Sequence, residues 1–487
     1  MAKYPIFLLL LCLAACQPGL SWFSGLPVTS GNPATATPLP LTGAQQSLAG
    51  ASALTIQPIP GSIDYALVPI DGNTGTPKAG FSPVNLGSRI SYAFSPDRGQ
   101  LAFIAYGAAD CPAQCLHLFD LRAWKPLIEP LPLTDDFISW AVDPVFDASG
   151  ERLAVAFNGN TAYDSQLALV SLKQNAILRQ TSLDLTVHRM HFQPDGSLAV
   201  YGARPSAKET DRGKAANTQT APQIVGQALL LEPDSLKPIW QALLEDVHFG
   251  VDFTASHDLD NGSFSYIPAA DFSKDGRRLI LLAADQPTLT TVDYAQRNVR
   301  STPVRPHASL LERILALGAA RVSAKAMNGA NLSGQLSTDD HQFFVIGETY
   351  TSALDEQGQR TTQREALGLR VIDTTSGLLV KTIATDAGQM QMHPDGKTLS
   401  LIDWIDTGQP MAQPVTTFLN LQTLEPSGQR PGDVRGARLL DGSFAWLITL
   451  PQPDSSTRVE ITAPQGSQPR SQWTVAAQQY FDWVIIP

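Results

Sequence analysis

One short pattern recurs along most of this chain: an aromatic or apolar residue, a turn built on Asp-Gly, then an apolar strand. It runs Phe94-Ser95-Pro96-Asp97 before Leu101–Ile104, Phe192-Gln193-Pro194-Asp195-Gly196 before Leu198–Val200, and Phe272-Ser273-Lys274-Asp275-Gly276 before Leu279–Leu282. Met392-His393-Pro394-Asp395-Gly396 is a further good copy; Phe146-Asp147-Ala148-Ser149-Gly150, Leu336-Ser337-Thr338-Asp339-Asp340 and Leu440-Asp441-Gly442 are degenerate ones. Pro presets φ, the Asp side chain bonds the turn backbone, and Gly takes positive φ. Each copy is therefore a hairpin corner between two buried strands. A second hairpin follows each corner, as at Leu116–Leu121, Leu167–Leu172 and Leu369–Gly377. Two hairpins give four antiparallel strands, which is one propeller blade. The expected fold is all-β.

Blades of about 40–50 residues are usual, so the longer gaps from Phe192 to Phe272 and from Phe272 to Leu336 imply insertions. An unmatched hairpin, Tyr65–Ile70 with Phe81–Leu86, precedes the first corner, and an unmatched strand, Tyr480–Ile486, follows the last unit. Paired together, they would close the ring and leave no free edge. The expectation is a beta-propeller of eight blades, each of four antiparallel strands, closed by N- and C-terminal strands together; seven blades with extra strands packed outside is the alternative. Over roughly residues 63–487 the corners resemble the WD40-like repeat of the TolB-type propeller. The Gly-His and Trp-Asp pairs of eukaryotic WD40 repeats are absent. The resemblance implies a fold and brings no catalytic residue with it.

The first residues read as an address. Lys3 precedes a short apolar run, Ile6–Leu13, too short to span a bilayer and suited to a signal peptide. Leu13-Ala14-Ala15-Cys16 resembles the lipobox of bacterial lipoproteins, which implies cleavage before Cys16 and lipidation of its thiol. Gln17 follows in place of Asp, which in a two-membrane cell would favour the outer membrane. The chain divides into residues 1–15, a lipoprotein signal peptide; 16–60, a Pro/Thr/Ser/Gly-rich tether; and 61–487, the propeller. Leu39-Pro40-Leu41-Thr42-Gly43 matches a sortase pattern but sits at the wrong end of the chain, without the apolar and basic tail such signals need. Cys111 and Cys115 fit a local disulfide in an exported chain. A formal charge of −11 and sparse Lys and Arg exclude a nucleic-acid binder.

Insertions are expected near 204–223, 245–263 and 307–327. The second holds His248, Asp252, His257, Asp258 and Asp260; Asp258-Leu-Asp260-Asn261-Gly262 falls short of a calcium loop because the bidentate acid is missing. In the third, Leu310, Leu311, Ile314, Leu315 and Leu317 have the spacing of an amphipathic helix. His188 and His191 flank Met190 near the start of a blade's first strand; three apart on a strand, they face opposite ways and make poor joint metal ligands. No Gly-x-Ser-x-Gly elbow, Walker loop, HExxH or haem-attachment motif is present, so no cofactor is expected. The candidate ligand-binding residues are His188, His191, Asp252, His257, Asp258 and Asp260. The expected role is a non-catalytic recognition module at the cell envelope. It would be held to the membrane through lipid on Cys16 and would bind a protein, peptide or glycan. The rival is a propeller enzyme acting on an exported glycan, or a quinone-cofactor dehydrogenase.

Overall fold

The computed structural model describes residues 51–484 apart from 60–63, 72–75, 88–90, 98, 109–110, 122, 135–139, 160–162, 207–222, 252–263, 306–326, 355–359, 407–411, 439–443, 453–455, 463–468 and 476–482. The expected signal peptide, Cys16, the expected helix after His307, and Asp252, His257, Asp258 and Asp260 all lie outside the described residues. Among the described residues every regular element is a strand. The strands form a propeller-like series of four-stranded antiparallel units, lettered here in chain order.

Unit B is Ser91–Phe94, Gln100–Ala108, Cys111–Asp120 and Lys125–Pro126; unit C is Val145–Phe146, Arg152–Asn158, Ser165–Ser171 and Ala176–Leu183. Unit D is Thr186–Phe192, Leu198–Pro205, Gln223–Leu231 and Pro238–Val251; unit E is Ala269–Phe272, Arg278–Leu282, Thr288–Asp293 and Asn298–Pro303. Unit F is Met327–Leu336, Gln342–Leu354, Leu369–Asp373 and Leu379–Ile383. Unit G is Gln389–Met392, Thr398–Ile405, Gln413–Asn420 and Glu425–Pro431, and unit H is Asp433–Arg438, Phe444–Pro451, Thr457–Thr462 and Pro469–Val475. Unit A combines Ala51–Pro58, Tyr65–Asp71 and Val84–Gly87 with Trp483–Val484, which pairs antiparallel to Leu54 and Thr55.

Ala51–Pro58 corrects the sequence reading, which assigned it to the tether. Its Thr, Ser and Pro content hides a period-two strand whose Leu54 and Ile56 are buried. The expected insertion at 245–263 also shortens, because residues 245–251 continue the fourth strand of unit D.

In units B to F the second strand is buried on both faces, and its alternate side chains serve two different cores. In unit C, Leu153, Val155 and Phe157 pack toward unit B, while Ala154 and Ala156 pack toward unit D. In unit E, Leu279 and Leu281 face unit D, and Ile280 and Leu282 face unit F. Each fully buried Leu or Phe contributes about 1.5–3 kcal/mol, so consecutive units are held together by apolar burial that one unit could not supply alone.

The corners repeat a small polar device. Ser95, Ser273 and Ser337 each donate Oγ–H to the Asp two residues on, at 2.6, 2.8 and 2.6 Å. Each Ser Oγ also accepts the backbone N–H that opens the next strand, from Gln100, Arg278 and Gln342. The Ser337 hydroxyl holds the Asp339 carboxyl below its ordinary value, and the Ser197 hydroxyl does the same for Asp195. Gly276 and Gly396 take positive φ, as the turn demands; at the degenerate corner Asp340 takes that conformation instead, at φ 60°. Successive corners touch: the Gln193 amide donates to the carbonyl of Gly276, and Asp340 accepts from the backbone N–H of Lys274.

Candidate functional site

Units D, E and F differ from their neighbours at the strand ends opposite the corners. Unit D's fourth strand, Pro238–Val251, pairs Leu244 with Gly226 and then His248 with Val225, so Glu245, Asp246 and Val247 stand out of register. Val247 is fully buried and anchors this bulge. A bulge re-aims the side chains that follow it, here His248 and Phe249. Beyond it, Gly250 pairs with Ser265 of a short strand, Phe264–Ile267, which runs parallel to Phe264's partner Asn328 through Asn331 in the first strand of unit F. The second strand of unit F then outruns its own unit and pairs with Arg360–Ala366. Units D and F are thus joined in one sheet past the start of unit E. The described strands that end at Pro205, Val251, Pro303 and Leu354 all end on this same side.

His188 sits at a second bulge, because Val187 pairs with Gly202 and Arg189 with Tyr201. Gly202 makes room for it; a Cβ there would lie 2.3 Å from the carbonyl oxygen of Thr186. The His188 ring stacks on Phe249, with centroids 4.8 Å apart and planes 8° apart, and stands 6.2 Å from the ring of Tyr201. Its surface is open to solvent although protein crowds around it. Phe249 covers one face of the ring and Tyr201 lies to its side, while the rest of the ring is exposed. The crowding, and then the charge of Arg189, hold the imidazole down at about 4, so it is neutral at pH 7. Burial pushes the Tyr201 phenol up.

His191 corrects the expected geometry. The bulge at His188 shifts the alternation, and both rings turn toward the core shared by units D and E: His188 toward Tyr201 and Phe249, His191 toward Phe272 at 5.4 Å. His191 donates Nδ1–H to the carbonyl of Phe192 at 2.6 Å, and a Cβ on Gly276 would lie 2.1 Å from that nitrogen. Burial lowers its pKa. These contacts make His191 a packing residue of the corner. Among the described residues no three His, Cys, Asp or Glu side chains group to hold a metal ion.

Between the first strands of the three units lies a polar tie. Arg189 meets Asp271 at 3.4 Å, and Asp271 accepts the backbone N–H of Phe272 at 3.0 Å and of Leu336 at 2.9 Å. Burial raises the Asp271 pKa against the opposing pull of Arg189 and the two N–H groups. At the outer end, His248 and Asp285 pair at 2.5 Å, and Gln286 donates its amide to the carbonyl of Asp246. The Asp285 hydrogen bond raises the His248 pKa; burial, then Asp285 and Tyr350, raise that of Tyr266.

Sequence reasoning singled out His188 and missed Arg189, Tyr201, Phe249, Asp271 and Asp285. Asp271 had a signal, an acid in the otherwise apolar strand Ala269–Phe272. Asp285 had none, because it enters through a turn between two strands of another unit. Cys115 is buried in Cys111–Asp120, and the register opposite slips between Tyr106 and Ala108.

No family model matches the sequence, and no curated protein matches it. Solved structures do resemble it. Dihydro-heme d1 dehydrogenase NirN in complex with DHE shares 14% identity at a TM-score of 0.49, over 89% of this chain and 75% of that one. A eukaryotic initiation factor shares 10% at 0.46, over 87% and 88%. The beta-propeller domain of Cps50 (Swd1) from Myceliophteria thermophila shares 11% at 0.33, over 79% and 96%. At such identities and TM-scores the likeness transfers neither a site nor a role.

Proposed function

We propose that this chain is an exported, lipid-anchored propeller that holds a non-catalytic recognition face away from the membrane. In this reading units A to H are eight blades, and Trp483–Val484 closes the ring as the first strand of unit A. Cys16 carries the lipid, and Cys111 and Cys115 form a disulfide at a hairpin tip. The observation that carries the reading is the contrast between the two ends of the strands. Ala51 opens the second strand of unit A, and in the other units the second strand opens at the corner. A tether ending at Ala51 would therefore attach on the corner side. The enlarged end of units D, E and F lies opposite, where the exposed His188 stacked on Phe249 and the strand Arg360–Ala366 would meet a protein, peptide or envelope glycan.

Site-specific photocrosslinking in the producing cells tests this. A photoreactive residue at Gln363, exposed on the enlarged end, is expected to trap a discrete partner; one at Ala148, exposed on a corner, is not. Adducts from Ala148 alone, or none from either position, would overturn the recognition face. Mass spectrometry of the Cys16 peptide tests the anchor separately: an unmodified thiol sinks it.

A further inference from the structure

We propose that the outer edge of Arg360–Ala366 is a vacant fourth-strand position of unit F, which takes up an extended acidic segment of a partner protein. The inference deepens the recognition-face reading and rests on it: it names the kind of partner and how that partner is held.

The vacancy comes from the strand pairing. In units C, E and H every residue of the third strand is paired with the fourth. Unit F differs. Its second strand pairs with Leu369–Asp373 near the corner and with Arg360–Ala366 beyond it, so these two segments together make one long third strand. The Leu367 N–H donates to the Gly347 carbonyl and keeps them in line. The fourth strand follows only the first segment and ends at Ile383, opposite Leu369. Gly368 marks the stop, because its φ is +70° and a Cβ there would lie 2.6 Å from the Ile383 carbonyl oxygen. Among the described residues no strand pairs with the outer edge of Arg360–Ala366, and residues 362–366 are all exposed. A strand edge presents backbone donors and acceptors in a row, and an added strand satisfies them. Here the added strand would run antiparallel to Arg360–Ala366, in the line that Leu379–Ile383 begins.

Charge selects what fits. Arg370 pairs with Thr382, one residue short of where the fourth strand stops. Leu369 and Val371 on either side of it face unit G, so its side chain lies on the unit E side, with Val345 and Ile372. Burial lowers its pKa, and no carboxylate opposes that shift. Arg364 already meets Glu348 at 3.6 Å. Arg370 is therefore the charge left over at the inner end of the vacancy. A half-buried cation without an acid is unfavourable, and a carboxylate at the start of an added strand would supply one. A second copy of this edge would not, since its Arg364 and Glu365 bring no surplus of acid.

Hydrogen–deuterium exchange of the purified full-length protein tests this, with a synthetic peptide of alternating Thr and Glu as probe and one of alternating Thr and Lys as control. The Thr/Glu peptide should slow exchange of residues 362–366 by about fivefold when present at about four times its Kd, because exchange then proceeds through the free fraction. The Thr/Lys peptide should leave it unchanged. Arg370→Gln should remove the slowing and Arg370→Lys should keep it, with exchange of residues 342–346 reporting that each variant is folded; Arg370→Met replaces Arg370→Gln if that variant folds poorly. No slowing with the Thr/Glu peptide, equal slowing with both peptides, or slowing kept without the Arg370 charge would overturn the strand position. So would protection that grows with protein concentration in the absence of peptide, which assigns the edge to a second copy. A partner trapped at Gln363 in cells beside any of these results leaves the recognition face standing and removes only this mode of holding it. If no partner is trapped, the recognition reading falls, and the peptide result still decides whether the edge accepts an acidic strand.

Discussion

The two ends of the strands in units D, E and F follow different rules. At the corner end, order is local and repeated: a Ser hydroxyl, an Asp carboxylate and a left-handed residue close each turn within six positions. At the opposite end, order is long-range: Phe249 reaches His188, His248 reaches Asp285, and Phe264–Ile267 reaches unit F. Local closure loses little chain entropy, so it can be written into every repeat. The far contacts lose more, and they occur once. The corner end therefore behaves as scaffold, and the opposite end is where one repeat can depart from the next without undoing the fold.

That difference can be broken by substitution. The largest effect is expected from Asp271→Ala, about 3 kcal/mol, because it leaves the buried N–H of Leu336 without an acceptor and Arg189 without its partner; chemical denaturation measures it, and a loss under 1 kcal/mol would refute the polar tie.

Acid comes next. His393 is buried, its Nε2 faces the hydroxyl of Ser400 at 2.5 Å, and burial holds it down at about 4. In the folded protein it stays neutral where the unfolded chain takes up a proton. Stability should therefore fall as pH drops from about 6.5 toward about 4, by on the order of 3 kcal/mol at the lower limit. The slope should shrink in His393→Phe; an unchanged slope would mean other groups carry it.

Gly276→Ala should cost about 2 kcal/mol, since φ is +70° and a Cβ would strike His191. Gly428→Ala, where a Cβ meets nothing within 4 Å, is the matched control and should stay within about 0.5 kcal/mol.

The smallest effect belongs to the opposite end. Asp285→Asn should lower stability by less than about 1 kcal/mol, and only where His248 is charged. Its pKa is raised in the fold, so the contribution is complete below about 6.5 and fades as pH rises through the raised value. An Asp285→Asn loss as large as that of Asp271→Ala would erase the distinction between the two ends.

The corners were legible because they are short and chemically forced. Pro, Asp, Ser and Gly at fixed offsets leave one turn available, and the apolar run after each can only be a buried strand. Even the degenerate corner at Leu336 folds as the others do, because Asp340 tolerates the conformation usually left to Gly. The strand at Ala51–Pro58 was misread because its polar residues match a tether, and only its pairing with Tyr65–Asp71 reveals the alternation. His188 was visible as a residue but not as a site: strand parity was applied across a bulge whose cause, Gly202, lies on the neighbouring strand.

The sequence by itself determined the repeat, the all-β class and the buried strand after each corner, because each rests on contacts between residues close along the chain or on an apolar run beside a turn. The tertiary structure decided which residues gather around His188 and Arg189. Phe249, Tyr201, Arg189 and Asp271 come from four strands in two units, and two bulges bring them together. A bulge is set by what packs against it, here a buried Val247 and a missing side chain at Gly202, so no window of sequence around His188 contains the information that places it.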